Sequence, residues 1–387
     1  MNPLNKDNLN TNENNKFTKK MLHYLSKYKS PKLFTGCYSE IKLSDSKNFN
    51  EKTVGQLVGK SGERKEEFFS LTGVKPHIEY SDDKPILMLS KYNSREIKLA
   101  HLLGERFQTT KSWSSSSINK HVKQLQERLS REEGELGQKI LSEYWPEKSQ
   151  SDLAELVGGM SNERYSPTQT LLEHSIEVAT EAKQIAEALS LDSQKLQRMA
   201  LFHDIGKVVL PYYQHSTPKV LELIPELQSS PELTEAIVSH HNPLGSFSSP
   251  YLALIALINR IVSQSHFIVP EDSKIPESLK KSLNQLLTSK LSEKKITHFY
   301  ILSSYCYFWF ILRCPKANQE ELTKQLSVKL GPLLQSYSSW EGKELKNLNF
   351  SLFWLPEEGS EDKISLTRLK LSNYVHNGDN EAFELNQ

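Results

Sequence analysis

Two side chains able to ligate a metal, His203 and Asp204, stand together at the end of an apolar run, Met199–Phe202. Such a run reads as the buried end of a helix, and burying an imidazole beside a carboxylate costs several kcal/mol unless something satisfies both. A hydrogen-bonded core pair would satisfy them in isolation. The pair is not isolated: His174 lies upstream in Leu171–Ala179, and His240 and His241 end the apolar stretch Glu235–His241 downstream. Imidazole and carboxylate donors that converge suit a divalent cation, and this mixture of nitrogen and oxygen does not discriminate among Mn2+, Mg2+, Fe2+ and Zn2+.

For these residues to meet, separate helices must carry them. His174 opens a segment with apolar residues at 176, 178, 179, 182, 185, 186 and 189, a stripe at helical spacing. Gly206, just past the pair, is placed to end the helix that delivers it. This order resembles the HD superfamily of metal-dependent phosphohydrolases, all-helical domains that hold one or two metals between helices. The resemblance implies a ligand pattern of histidine, then His-Asp, then a distant aspartate. Here it falls on His174, His203 and Asp204, and its last position falls on Asn259 in Leu257–Ile261. Asparagine keeps a coordinating carbonyl but removes a negative ligand, so weaker metal binding is expected. The same resemblance implies catalytic roles for Asp204, for Lys207 near developing phosphate charge, and for His240 and His241 as second-metal ligands or proton donors.

The 387 residues are too many for one ordinary domain, and 37% apolar with 25% charged content is that of a soluble protein with real cores. Three scattered cysteines exclude a disulfide framework, which fits a reducing compartment. No run approaches the length of a membrane span and the polar, Asn-rich N-terminus is unlike a signal peptide, so the expectation is cytoplasmic, without a membrane anchor. Charge is uneven: through Gln150 there are 26 Lys+Arg against 19 Asp+Glu, and 22 against 28 thereafter. A basic first part hints at a polyanionic partner.

That first part carries a second motif. Ser39–Leu43 alternates like a strand, the glycine-bearing run Thr53–Gly62 precedes a helix-like Glu63–Leu71, Lys75–Tyr80 and Pro85–Leu89 read as strands, and Ser94–Gln108 as a third helix. This β-α-α-β-β-α order, with Gly59-Lys60-Ser61-Gly62 between the first two helices, resembles a KH domain. The resemblance implies single-stranded RNA bound at Gly59, Lys60, Ser61, Gly62 and Arg64. A long charged helix follows over Ser112–Trp145 and reads as a connector, with Gly134 and Gly137 interrupting any coiled-coil seam along it.

Leu57–Arg64, Leu71–Val74, Glu173–Ala179, Leu189–Asp192, His203–Lys207 and Ala236–His241 together are similar to the ribonuclease Y family, bacterial endoribonucleases that start mRNA decay. The resemblance covers roughly Ser39–Ile261 and implies metal-dependent hydrolysis of RNA phosphodiesters, with Arg164 touching RNA. Family membership also implies a membrane anchor and a long coiled coil ahead of the KH domain, and neither is expected from this sequence. A histidine in the loop after His-Asp is expected as well, but His215 stands one residue out of step and Ser216 takes its place. A catalytically inactive RNA-binding or scaffold protein therefore stays open beside the endoribonuclease. Expected partners are single-stranded RNA and either a second copy of the chain or a partner nuclease.

Beyond Pro270, a helix (Glu277–Lys294), an aromatic strand-like run (Thr297–Leu312), a helix (Gln319–Ser336) and a strand (Leu348–Leu355) suggest a β-α-β module. The fold expected is multidomain α+β: a small α/β KH domain, an all-helical HD domain and a small C-terminal α+β domain. The divisions are 1–37, a disordered tail with a short basic helix at Lys16–Tyr28; 38–111, KH; 112–150, connector; 151–270, HD; 271–375, C-terminal domain; and 376–387, tail.

Overall fold

The structure, a computed structural model, describes residues 38–43, 51–81, 84–91, 93–109, 114–149, 152–166, 169–247, 249–265, 277–293, 295–304, 307–337, 348–357 and 364–369. The expected tails and the helix at Lys16–Tyr28 lie outside these residues. The chain is a multidomain α+β protein, mostly helical, with small sheets toward either end.

The first unit runs β1 (Tyr38–Lys42), α1 (Glu51–Val58), α2 (Glu63–Thr72), β2 (His77–Ser81), β3 (Lys84–Ser90) and α3 (Ser94–Thr109). Its strands pair antiparallel in the order β1-β3-β2. Alternation along β3 buries Leu87 and Leu89 in one core with Ile97, Ala100 and Leu103 of α3.

Ser114 caps α4 (Ser115–Tyr144), whose apolar stripe is shared between two cores. Ile118, Val122, Leu125 and Leu129 join the first core, and Leu141 and Tyr144 the second. Gly137 is where α5 (Leu153–Gly159) crosses: a Cβ on Gly137 would lie 1.7 Å from the Ala154 carbonyl oxygen, and one on Gly158 1.8 Å from that of Glu133. Buried Glu133 ties the units together, accepting from Arg95 Nε of α3 (2.7 Å) and from Asn162 Nδ2 (2.8 Å).

The second core is helical. A short hairpin, β4 (Arg164–Ser166) and β5 (Gln169–Thr170), leads into α6 (Leu171–Ala188), then α7 (Ser193–Phe202), α8 (Gly206–Val209), α9 (Lys219–Leu223), α10 (Pro231–Ser239) and α11 (Pro250–Ser265). Starts are set locally. Thr170 and Glu173 form a reciprocal capping box on α6, Asp192 caps α7, and Ser230 with Pro231 opens α10.

The last unit holds α12 (Glu277–Ser292), β6 (His298–Ser304), β7 (Tyr307–Arg313), α13 (Lys316–Gln335), β8 (Asn349–Leu355) and β9 (Ser365–Arg368). The expected single aromatic strand is two: β6 and β7 pair antiparallel, and α13 crosses over to β8, parallel to β7. Leu302, Ile311, Phe353 and Leu355 face the helical core, while Phe308, Phe310, Leu352 and Trp354 pack with α12 and α13 residues. Phe308, Phe310, Phe350, Phe353 and Trp354 are thus core residues on a sheet covered on both faces. Among the described residues no helix is long and apolar enough to cross a membrane.

Candidate active site

Five histidines and one aspartate meet inside the helical unit. His174 comes from the first turn of α6, His203 from the cap that ends α7, and Asp204 from the turn after it. His240 caps α10, His241 follows it, and His215 comes from the loop after α8. All but His241 are buried.

Asp204 faces both ways. Its Oδ2 lies 3.3 Å from His203 Nε2 and 4.0 Å from His174 Nε2. Its Oδ1 lies 3.1 Å from His215 Nε2 and 3.4 Å from His240 Nε2. His215 and His241 approach through their Nε2 atoms at 2.9 Å. The result is two groups of metal-ligand donors sharing one carboxylate: His174, His203 and Asp204, and Asp204, His215, His240 and His241.

The donor set fits a divalent metal. His203 Nε2, His240 Nε2, Asp204 Oδ1 and His174 Nδ1 are buried without a hydrogen-bond partner, a costly arrangement for a packed core. The tautomers follow from the backbone: His203 Nδ1 donates to the Ala200 carbonyl (2.7 Å), and His240 Nδ1 to the carbonyls of Ala236 and Ile237 (3.0 Å each). Both rings therefore present an Nε2 lone pair to the cluster. Burial, reinforced by His203, pushes the His174 imidazole down to about 3, and burial with His240 does the same to His241. Burial also lowers His240, against the pull of Asp204. For Asp204 burial is the largest influence and would raise its pKa, but His203 and Lys207 outweigh it and hold the carboxyl well below its usual range. His174, His240 and His241 are thus held toward the neutral form beside a charged carboxylate, the protonation states that ligands need.

Other expected site residues surround this centre. Lys207 Nζ donates to Asp204 Oδ2 at 2.6 Å and lies 4.6 Å from the Tyr165 ring centroid. Tyr165 stacks on His174, centroids 3.5 Å apart and planes 5° off parallel, and its hydroxyl meets Ser263 Oγ. Asn259 Oδ1 accepts from His174 Nε2 at 3.0 Å, so it sits where the HD pattern puts its aspartate but is engaged with a histidine. Arg164 is half-buried on β4 with its Nε unpartnered.

His215 is the correction. One residue out of step by spacing, it is nevertheless in the cluster. Gly206 explains this, and it does not end a helix as expected: a Cβ there would stand 2.1 Å from the His215 carbonyl oxygen. The bare glycine lets the later loop lie directly on the His-Asp turn. Tyr165 and Ser263 were missed altogether, since a tyrosine in a hairpin and a serine on a helix carry no signal of their own.

Far along the chain, Gly59, Ser61 and Gly62 all adopt positive φ, and Lys60 and Ser61 are exposed. Arg64 is committed elsewhere, with Nη1 2.7 Å from Glu67 Oε2 and 2.8 Å from Ser115 Oγ.

Residues 171–264 match the HD domain family, the segment that supplies every histidine and the aspartate of the cluster. The chain therefore carries an HD domain. More particularly, it is a divergent HD protein similar to ribonuclease Y: 30% identical over 211 residues to that of Lawsonia intracellularis, 27% over 213 to that of Malacoplasma penetrans, and 30% over 196 to that of Desulforamulus reducens. These alignments cover 54%, 55% and 50% of this chain and 39%, 45% and 37% of the relatives, so the chain spans less than half of their length. No solved structure matches it.

Proposed function

We propose that the chain is a metal-dependent endoribonuclease of the ribonuclease Y kind, hydrolysing phosphodiesters in single-stranded RNA in the cytoplasm. One observation carries the reading: a buried carboxylate with an unpartnered oxygen, with the equally unpartnered Nε2 atoms of His203 and His240 within 3.4 Å of its oxygens. His174, His203, Asp204, His215, His240 and His241 would hold the ion, with Asn259 at the edge of the group. When bound, a divalent ion supplies Lewis-acid stabilisation of phosphoryl charge and acidifies water. The protein's own residues orient and exclude. The backbone carbonyls fix the His203 and His240 tautomers, Lys207 sets the Asp204 rotamer with a cation beside the phosphate position, and Tyr165 seals the His174 side from water.

RNA capture falls to the first unit. We read residues 38–111 as a KH domain, 112–150 as its connector, 151–270 as the HD domain and 271–375 as a C-terminal domain. Positive φ at Gly59 and Gly62 opens the backbone to a close-lying strand at the N-terminus of α2, where exposed Lys60 and Ser61 meet phosphates. Arg64 supports that loop through Glu67 and Ser115, and Arg164 is the candidate contact beside the active site.

The test is cleavage of a 5′-monophosphorylated single-stranded RNA in Mn2+ by the wild-type chain and by Asp204→Ala. Cleavage by the wild type that falls by orders of magnitude in the variant, with RNA affinity kept, is the expected result. A second reading has its own support, since neutral Asn259 and the Lys207–Asp204 ion pair both reduce the charge offered to a metal. On that reading the chain binds RNA and acts through an active partner nuclease. A wild-type protein that binds RNA, retains no divalent ion and cleaves nothing would establish it over the first.

A further inference from the structure

We propose that the chain measures its RNA: a strand is cut efficiently only when it is long enough to lie in the glycine tetrad and at the His-Asp cluster at once, and α4 fixes the span between them. The inference rests on the reading of the first unit as the RNA grip and of the cluster as the cutting site. It adds the length of substrate that the two together accept.

One end of α4 belongs to the tetrad. Ser115, its first residue, accepts from Arg64 Nη1 at 2.8 Å, and Arg64 lies in the first turn of α2, two residues past Gly62. The stem of Arg64 also covers Gly59, where a Cβ would stand 2.5 Å from its Cγ. The tetrad and the start of α4 are therefore one local assembly.

The other end belongs to the cluster, through two attachments. Glu133 accepts from Asn162, and the hairpin that follows lays Tyr165 on His174. Trp145, which ends α4, meets Phe202 edge to face with ring centroids 5.7 Å apart, and Phe202 immediately precedes His203 and Asp204. At the helical rise of about 1.5 Å per residue, Ser115 lies about 27 Å from Glu133 and about 45 Å from Trp145. The cluster is fastened to both marks.

The span is rigid. Ile118, Val122, Leu125 and Leu129 sit in the first core and Leu141 and Tyr144 in the second, so both units grip the same rod. Backbone meets backbone where Gly137 and Gly158 cross, and Arg95 and Asn93 of the first unit bond Glu133 and Glu163.

A Gly-x-x-Gly loop clamps about four nucleotides, and a stacked strand advances roughly 3.4 Å per nucleotide, so an RNA of about 12 to 17 nucleotides fills both sites. A shorter one must choose between them. Where both are filled the second contact is intramolecular, so the gain appears in KM and vanishes with the grip.

The test uses the full chain in Mn2+ with 5′-monophosphorylated oligoadenylates graded from about 4 to about 24 nucleotides, which bracket the expected span. KM should fall at least about tenfold between RNAs of about 8 and about 18 nucleotides and then level off, at constant kcat. A second series joins two tetranucleotides through ethylene-glycol spacers, which vary reach without adding bases. Spacers shorter than about 27 Å should leave the KM of a free tetranucleotide, and spacers of about 45 Å should lower it. Lys60→Asp with Ser61→Asp should give every length the KM of the shortest RNA. Equal KM at all lengths in the wild type, a length step that survives in this double variant, or short spacers that serve as well as long ones would each overturn the proposal. Those results would leave the endoribonuclease reading standing, whereas no cleavage at any length would remove both.

Discussion

Neutral imidazoles around an ionised carboxylate are expensive to maintain as the pH falls. His174 and His241 drop from the ordinary 6.5 to about 3 in the folded chain. Above the unfolded value both states are neutral and nothing is lost. Below it the unfolded chain takes up protons that the folded chain refuses, so stability falls as pH drops from about 6.5 toward about 3. The metal-free protein should therefore show a melting temperature that declines through this window, and His174→Gln should flatten part of the decline. A melting temperature independent of pH between these limits would refute the buried neutral cluster. His174, His203, Asp204, His240 and His241 could all be picked out of the sequence because their side chains suit one chemistry and because apolar runs announce burial. His215 could not be placed, because its position depends on a close backbone approach at Gly206. Asn259 could be read as a lost charge, but its bond to His174 required the packing of α11 on α6.

At the scale of elements, periodicity located the long helices and strands well and their crossings poorly. Gly137 read as a gap in a coiled-coil seam, but contact with α5 gives it meaning, and Gly158 is its counterpart. A methyl group at Gly158 would drive into the Glu133 carbonyl, and two backbones cannot give way as a side chain can. Gly158→Ala should destabilise the protein by about 3 kcal/mol, the upper range for overpacking. Gly134, on α4 with nothing within 4 Å, is the control: alanine there should be neutral or stabilising by about 1 kcal/mol through helix propensity. Chemical denaturation measures both, and equal effects at the two glycines would mean that α4 and α5 do not cross this closely. The split of the aromatic run into β6 and β7 was hidden for a related reason. A hairpin whose strands are both largely apolar shows no alternation to mark its turn, and only pairing separates them.

At the scale of the whole chain, the glycine tetrad and the His-Asp cluster are separate devices joined by α4, with Arg95, Glu133 and Asn162 fastening the joint. If the first captures RNA and the second cleaves it, their defects should separate kinetically. Lys60→Asp with Ser61→Asp replaces an exposed cation and an exposed hydroxyl with two negative charges at the N-terminus of α2, so phosphates are repelled where they should be held. Affinity for single-stranded RNA should fall about tenfold or more, and the slope of affinity against salt should become shallower as a phosphate contact is lost. Neither residue contributes to a core, so the melting temperature should stay within a degree or two of wild type. Cleavage should then show a raised KM and an unchanged kcat, because the cluster is intact once RNA is bound. RNA binding that is unaltered at matched salt would show that the tetrad is only a turn between two helices, and the search for the RNA surface would move to Arg164 and the exposed His241.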